Sequence, residues 1–478
     1  METYKNFING KWVGTEATSD NINPSDTRDI LGVAAQSDSD HVSVAVAAAR
    51  EAFPAWSVSP IQQRSQILDK AGNEILARRD ELAKLLAREE GKTVREALGE
   101  VVRAGEIFRF MAGEVLRTPG EVLDSTRAGM RVEITREAVG VIGMITPWNF
   151  PLAIPAWKTA PALAYGNCVV LKPAELVPAS AQAMADILHR AGLPDGVFNL
   201  VLGKGSVVGQ ALLEHPGIDA ISFTGSQGVG EAIAQTAGKR MIRCQLEMGG
   251  KNPLVVMDDA DIDIAVECAL DGAFYATGQR CTASSRLIVQ HNIHDQFVER
   301  LAARVSELQV GHALDNETQI GPVVDSRQLE NNLRYVGIAR NEGAELVCGG
   351  GRIERPTPGF YMAPALFINT RNDMCINQEE VFGPVASVIK VADFDEALAI
   401  ANDTRFGLSS GIVTRSLKYA SEYRRLAQAG MVMVNAPTAG VDPHVPFGGR
   451  KASSFGPREQ GRYAVEFYTT VKTSYIRP

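Results

Sequence analysis

Hydrophobic positions along the chain keep two different periods, and the change between them divides the sequence. From about residue 38 to 116 the chain is alanine-rich, with apolar residues at three- and four-residue spacing, as in Val42 to Phe53 and Ile67 to Leu86. That period predicts helices with one buried face. From residue 139 short β-branched runs take over, at 139–145, 168–171, 197–202, 220–223, 254–257 and 286–290. Stretches of helical period, such as 179–191 and 228–237, lie between several of them. Such alternation builds βαβ units and predicts an α/β fold with a parallel sheet covered by helices. A second alternating stretch, from about 320 to 435, ends in the apolar run 431–434 and predicts another α/β layer. The segments 129–136 and 467–476 alternate as edge strands do. Exposed edges invite pairing with another chain, so an oligomer is expected.

The chain has 478 residues, which suits two or three domains. Its net charge of -8 argues against a nucleic-acid partner, because phosphate backbones call for a basic face. Small anionic ligands stay open, since a pocket can be locally positive. Residues 1–12 are polar and mixed in charge, and no run approaches the ~18 apolar residues of a membrane span; a cytoplasmic protein without a membrane partner is expected. The six cysteines are far apart with no CxxC pair, so neither a disulfide scaffold nor a zinc site is expected. His291 and His294 read as a solvated turn rather than metal ligands.

Three motifs carry chemistry. In Gly278-Gln279-Arg280-Cys281-Thr282, a cysteine alone is ordinarily an inert small hydrophobe. An adjacent arginine favours thiolate, however, and a preceding glycine lets backbone approach a ligand. Thiolate is the nucleophile that adds to a carbonyl. Glu247-Met248-Gly249-Gly250-Lys251 ends an apolar run; Glu247 is either a solvated loop charge or a general base for water. In Thr146-Pro147-Trp148-Asn149-Phe150-Pro151, two prolines and an aromatic stiffen a turn that suits an asparagine amide aimed at a developing oxyanion. Phe223-Thr224-Gly225-Ser226 and Lys172-Pro173-Ala174-Glu175 both follow apolar runs, where helix N-termini can receive a pyrophosphate. The standard GxGxxG fingerprint is absent.

Taken in this order, the motifs closely resemble the aldehyde dehydrogenase superfamily, from Phe7-Ile8-Asn9-Gly10 to the tail. Trp157-Lys158, Glu380-Val381-Phe382-Gly383-Pro384 and Pro446-Phe447-Gly448-Gly449 extend the resemblance. It implies that Cys281 is the nucleophile and Glu247 the base, with Asn149 and the Cys281 N–H as oxyanion hole. Lys158 and Glu459 match positions that relay protons from Glu247. The cofactor is expected to be NAD, with NADP as an alternative. It is expected along Ile145, Thr146, Pro147, Trp148, Lys172, Glu175, Gly205, Phe223, Gly225, Ser226, Gly249, Glu380 and Phe382. The implied fold is a Rossmann-like cofactor domain (1–117 and 138–249), an α/β catalytic domain (250–460) and a β-strand oligomerisation arm (118–137 and 461–478). The arm implies a homodimer or homotetramer.

The segment 278–286 is most similar to members that oxidise acidic semialdehydes, α-ketoglutaric semialdehyde above all. Where the succinic semialdehyde branch carries its carboxylate-binding arginines, this chain has Trp157 and Tyr275. Arg280 and His444 then stand as candidate partners of a substrate carboxylate, although alternation in an extended segment puts Arg280 and Cys281 on opposite faces, where Arg280 would instead pair with a neighbouring acid and shape the loop. Phe150, Trp157, Thr282 and Phe447 are expected to line the substrate pocket, which also leaves a neutral aromatic or aliphatic aldehyde open. A relative that passes its thioester to coenzyme A typically lacks the basic glutamate, and a non-catalytic descendant typically loses nucleophile or base. This chain keeps both.

Overall fold

The computed structural model describes residues 2–478. Four helices, Ser39–Ser57, Ile61–Ala77, Arg79–Glu90 and Val94–Glu114, account for the alanine-rich region. The last begins with a reciprocal cap in which Thr93 and Glu96 satisfy each other's backbone N–H groups. The β-branched runs then form the centre of an eight-stranded sheet. Its order is Ser454–Phe455, Arg243–Glu247, Ala220–Thr224, Val141–Ile145, Cys168–Lys172, Phe198–Leu200, Asn6–Ile8 and Lys11–Val13. The five strands from 243–247 to 198–200 run parallel. Cys168–Lys172 is buried at every residue, as a strand covered on both faces must be.

The connectivity of this sheet decides where a ligand can bind. From Val141–Ile145 the chain steps outward through Cys168–Lys172 and Phe198–Leu200. It then returns to the opposite side of Val141–Ile145 with Ala220–Thr224. The helices after these neighbours diverge, leaving a crevice at the carboxyl ends of 141–145 and 220–224, the switch point of an open α/β sheet.

A second, seven-stranded sheet follows. Its order is Glu345–Cys348, Ala365–Ile368, Val385–Val391, Ser284–Gln290, Asn252–Val256, Ser409–Val413 and Met431–Val434. All pairs are parallel except the one made by Glu345–Cys348. Ser284–Gln290 occupies the middle, so the loop before it is held at the sheet's centre. The protein is therefore α/β, with the expected parallel sheets. Thr469–Ile476 pairs along its whole length with Arg131–Ala138, which also pairs with Glu121–Asp124. This antiparallel ribbon exposes Val122, Leu123, Val471 and Tyr475.

Several details differ from expectation. A small sheet of Glu2–Tyr4, Ile30–Ala35 and Thr18–Ile22 was not foreseen, nor were Asn6–Ile8 and Lys11–Val13, which finish one side of the first sheet. Glu2–Tyr4, Asn6–Ile8 and Lys11–Val13 have three residues each, too few to display a two-residue period. Ser454–Phe455 leaves the second layer to pair with Leu246 and Glu247 in the first sheet. His291 and His294 open the helix His291–Glu307 instead of forming a solvated turn, and His294 is buried against it. Among the described residues no helix is long and apolar enough to cross a membrane. No group of three or more His, Cys, Asp and Glu among them is placed to hold a metal ion.

Candidate active site

The switch-point crevice opens into a cavity of about 270 Å³ lined by Pro147, Trp148, Asn149, Thr224, Gly225, Ser226, Gly249, Glu380, Phe382 and Cys281. Ile145 and Thr224 end the two strands beneath it, with Phe223 one residue before the second end. Ser226 is the N-cap of the helix Gln227–Arg240, yet its side chain makes no cap bond, which leaves the N–H groups of the first turn without that partner. The hydroxyls of Thr146 and Thr224 are buried and meet no partner. Orphaned donors and a bare helix N-terminus in one crevice suit a polyanionic ligand. At the crevice's outer end Glu175 accepts from the Gly205 N–H at 3.0 Å. Lys172 donates to the Pro173 carbonyl at 2.7 Å, and burial lowers its pKa to about 8 against the opposing charge of Glu175.

Glu380 reaches in from the second layer and accepts from the Gly250 N–H at 2.8 Å. A Cβ on Gly249 would overlap its carboxylate, so the Gly-Gly turn gives Glu380 its place. Burial pushes the Glu380 pKa up to about 7. Phe382 stands edge-on to Trp148 with ring centroids 5.4 Å apart.

Cys281 sits on a loop of unusual backbone. Ala276, Thr277 and Gly278 are all left-handed, with φ of 52, 57 and 63°. Two non-glycine residues in that region cost roughly 1–3 kcal/mol each and persist only when their surroundings dictate them. The surroundings do so here. Glu96 accepts from the Ala276 N–H at 2.6 Å, Thr277 donates to the Gly321 carbonyl at 3.1 Å, and a Cβ on Gly278 would overlap the Gly383 carbonyl. Asn252 donates to the carbonyls of Cys281 and Ala283 at 2.8 and 2.9 Å. The Asn149 amide donates to the Gln279 carbonyl at 2.9 Å, which aims it at the cysteine loop. The Asn149 turn is anchored in turn. Lys92 donates to the Asn149 carbonyl at 2.6 Å and to Glu100 at 2.7 Å, while Glu100 also accepts from the N–H groups of Leu152 and Ala153.

Cys281 also lines a second cavity of about 310 Å³, on the side away from the crevice. Phe150, Trp157, Thr282, Val441 and Phe447 give it apolar walls, with Trp157 and Phe447 ring centroids 5.4 Å apart. Its other wall is one face of the helix Val94–Glu114, through Glu96, Gly99, Glu100 and Arg103 at helical spacing. The nucleophile candidate therefore stands where a polar crevice and an apolar funnel meet. Burial pushes its thiol up to about 12, helped by the charges of Glu380 and Glu247 and opposed by Arg103.

Glu247 ends its strand behind this junction and lines neither cavity. Its carboxylate accepts from the Ser454 hydroxyl at 2.6 Å. Burial and the nearby charge of Glu459 hold its pKa well above the usual carboxylate range. Lys158 is fully buried and bonds Glu459 and, at 2.9 Å, Ser222. Glu459 also accepts from the Trp157 indole at 2.6 Å, which orients the funnel wall.

Two of the expected substrate residues are placed differently. Arg280 borders the funnel, but its guanidinium turns back onto the helix Ile262–Phe274, where it bonds the Asp271 carboxylate at 3.2 Å and the carbonyls of Asp271 and Gly272. The left-handed run at 276–278 sends Arg280 toward that helix, and Arg103 supplies the cation that faces the thiol. His444 is exposed on a surface turn and lines neither cavity; Val441 takes the funnel side. Arg103, Lys92, Glu100, Asn252 and Ser454 were not anticipated. Lys92, Glu100 and Arg103 lie far from the motifs in sequence, whereas Asn252 follows Lys251 directly and Ser454 comes five residues after Gly449, so their roles show only in the hydrogen bonds the fold gives them.

Residues 12–474 match the aldehyde dehydrogenase family. The chain is 46% identical to an α-ketoglutaric semialdehyde dehydrogenase of Bacillus subtilis, across 100% of this chain and 99% of that one. It is 44% identical to an α-ketoglutarate semialdehyde dehydrogenase of Haloferax volcanii, across 98% of each. A crystal structure of an NAD-dependent aldehyde dehydrogenase from Sinorhizobium meliloti superposes with a TM-score of 0.97 at 36% identity, covering 100% of this chain and 95% of that one. With its motifs in register and relatives matched end to end, the chain belongs to the aldehyde dehydrogenase family.

Proposed function

We propose that the protein oxidises an acidic semialdehyde to the dicarboxylate with NAD, through a thioester on Cys281. The observation that carries this reading is the position of Cys281 at the meeting of crevice and funnel, with the Asn149 amide beside it. The Cys281 thiol gives its proton to water and its sulfur adds to the aldehyde carbon, and the Asn149 amide and Cys281 N–H stabilise the oxyanion of the resulting thiohemiacetal. NAD, when bound, supplies the acceptor for the hydride that leaves this carbon. The orphaned Thr146 and Thr224 hydroxyls and the helix start at Ser226 suit its pyrophosphate. Glu175 suits the adenosine ribose, and Glu380 the nicotinamide ribose. Glu247 leaves Ser454, takes a proton from water, and the hydroxide displaces the acid from Cys281. Lys158 and Glu459 carry that proton away from Glu247.

The acidic-semialdehyde assignment follows from what the two nearly full-length relatives act on. In this reading residues 1–117 and 138–249 hold the cofactor, 250–460 supply the nucleophile, and the ribbon of 118–137 and 461–478 pairs with another copy through its exposed apolar residues. Cys281→Ala tests the core of the proposal. It is expected to abolish oxidation and leave NAD affinity, measured by fluorescence quenching, nearly unchanged. Retention of more than a few per cent of activity refutes the thioester route.

A further inference from the structure

Three cations and two carboxylates line the funnel: Lys92, Arg103 and Arg280 against Glu96 and Glu100. Their partners separate them. Lys92 is neutralised by Glu100 at 2.7 Å and Arg280 by Asp271 at 3.2 Å. Glu96 is spent on the backbone of Thr93 and Ala276. Arg103 has no carboxylate partner; its one hydrogen bond, at 3.1 Å, goes to the neutral amide oxygen of Gln460. Its Nε is buried without an acceptor, and so is the Nε2 of Gln460, on the side chain it touches. A partly buried guanidinium is costly to leave unpaired, since its desolvation is not offset. Here burial lowers its pKa, and the groups that favour its charge are Cys281, Glu100 and Asp442, none of them ion-paired to it.

The placement of this cation is specific. Helical spacing puts Arg103 on the same face as Glu96 and Glu100, about 10 Å along the axis from Glu96 at roughly 1.5 Å per residue. Its guanidinium lies over the Trp157 ring, 5.4 Å from the centroid. Trp157 is itself fixed by Glu459, and Gln460 follows directly in the chain. Arg103 is thus held by two neighbours that supply no negative charge, in a pocket whose other cations are already satisfied.

The geometry points to Arg103 as the receptor for the distal carboxylate of the substrate, with Gln460 as the positioning residue that presents it. This rests on the acidic-semialdehyde reading and gives that reading its specificity determinant. A bidentate guanidinium–carboxylate pair in such a site raises kcat/KM about ten- to a hundredfold. Arg103 also faces the thiol, so its removal slows every substrate somewhat; the ratio between substrates isolates carboxylate recognition.

The test is Arg103→Met, which keeps the stem on Trp157, beside Arg103→Lys. Both are assayed with wild type on an acidic semialdehyde, a neutral aldehyde of matched length and a cationic one. The expected result is a ten- to hundredfold fall in the acidic-to-neutral ratio for Arg103→Met, partial retention for Arg103→Lys, and a relative gain on the cationic aldehyde. A second readout needs no turnover. Glutarate should slow alkylation of Cys281 by iodoacetamide in wild type and have little effect in Arg103→Met. Equal loss on all substrates, or equal glutarate protection, overturns the role of Arg103 while leaving a wild-type preference for acidic substrates standing. A wild type with no such preference defeats the acidic-semialdehyde reading itself.

Discussion

Glu247→Gln is the substitution that most directly separates the two halves of the proposed reaction. The change is nearly isosteric, and the amide oxygen can still accept from Ser454, which lies 2.6 Å from the carboxylate. It removes a buried charge that desolvation and Glu459 already penalise. A group whose folded pKa is raised contributes stability at low pH and loses it as pH rises through that pKa. The glutamine variant is therefore expected to be at least as stable as wild type in neutral and alkaline solution, and to lose less stability as pH rises. Any loss of activity is then not misfolding. A general base contributes about 10²–10⁴-fold, or about 3–5 kcal/mol of barrier, to the step it serves. In the proposed reaction Glu247 serves as base in deacylation and not in thioester formation. In rapid mixing without coenzyme A, Glu247→Gln should release about one NADH per site and then turn over 10²–10⁴-fold more slowly than wild type. Because the pKa of Glu247 is raised, the wild-type steady rate should climb with pH as the carboxylate ionises, and the variant should lose that climb. Ser454→Ala, which removes the bond favouring the ionised form, should move the climb to higher pH. An unchanged steady rate in Glu247→Gln would show that water is activated elsewhere.

Glu175→Ala should narrow a preference for NAD over NADP. A unit-charge pair ~4 Å apart in water is worth about 1 kcal/mol, so repulsion of a doubly charged 2′-phosphate is worth at most about 30-fold in kcat/KM. An unaltered cofactor ratio would remove Glu175 from the ribose site. Glu100→Gln should destabilise the fold by about 3–5 kcal/mol in denaturant titration, because it leaves Lys92 buried without its closest counter-charge. It should also lower kcat by loosening the Asn149 turn, whereas a stability change within experimental error would show that Glu90, 3.9 Å from Lys92, suffices alone.

The parts of this protein legible in the sequence are those encoded locally. Helical period over 38–116 and β-branched runs from 139 on reflect burial of faces that each segment shows by itself, and they became helices and central strands. The 131–138 and 469–476 ribbon was visible for the same reason, because its alternation is local even though its pairing spans more than 300 residues. Cys281, Asn149 and Trp157 were found through motifs, and the fold brings them to one junction. Arg280 shows where local reasoning stops. Its neighbourhood to Cys281 in sequence left two roles open, a substrate contact or a pair with a nearby acid, and the fold turns its guanidinium to Asp271. Arg103, 178 positions away from Cys281, is the cation that the fold brings to the funnel without a carboxylate partner. Nothing local marks it, since an arginine on an amphipathic helix ordinarily faces solvent.

The charge distribution around Cys281 also constrains how the enzyme rests. Burial, with the charges of Glu380 and Glu247, pushes the thiol up and so favours it over the thiolate that oxidants and alkylating agents attack. Both carboxylates sit where they raise the thiol pKa, and Arg103 is the charge that opposes them. The adjacent Arg280 does not act on the sulfur, because its guanidinium is tied to Asp271 on a helix, and the cation that faces the thiol comes from Arg103 instead. Reactivity then depends on what enters the two cavities. Positive charge brought into the crevice near Glu380 lowers the thiol pKa by the same Coulomb effect that the carboxylates use to raise it. A substrate carboxylate at Arg103 acts in the opposite sense by neutralising the one favourable charge. An occupant of the crevice and an occupant of the funnel therefore shift the thiol in opposite senses, the first through Glu380 and the second through Arg103.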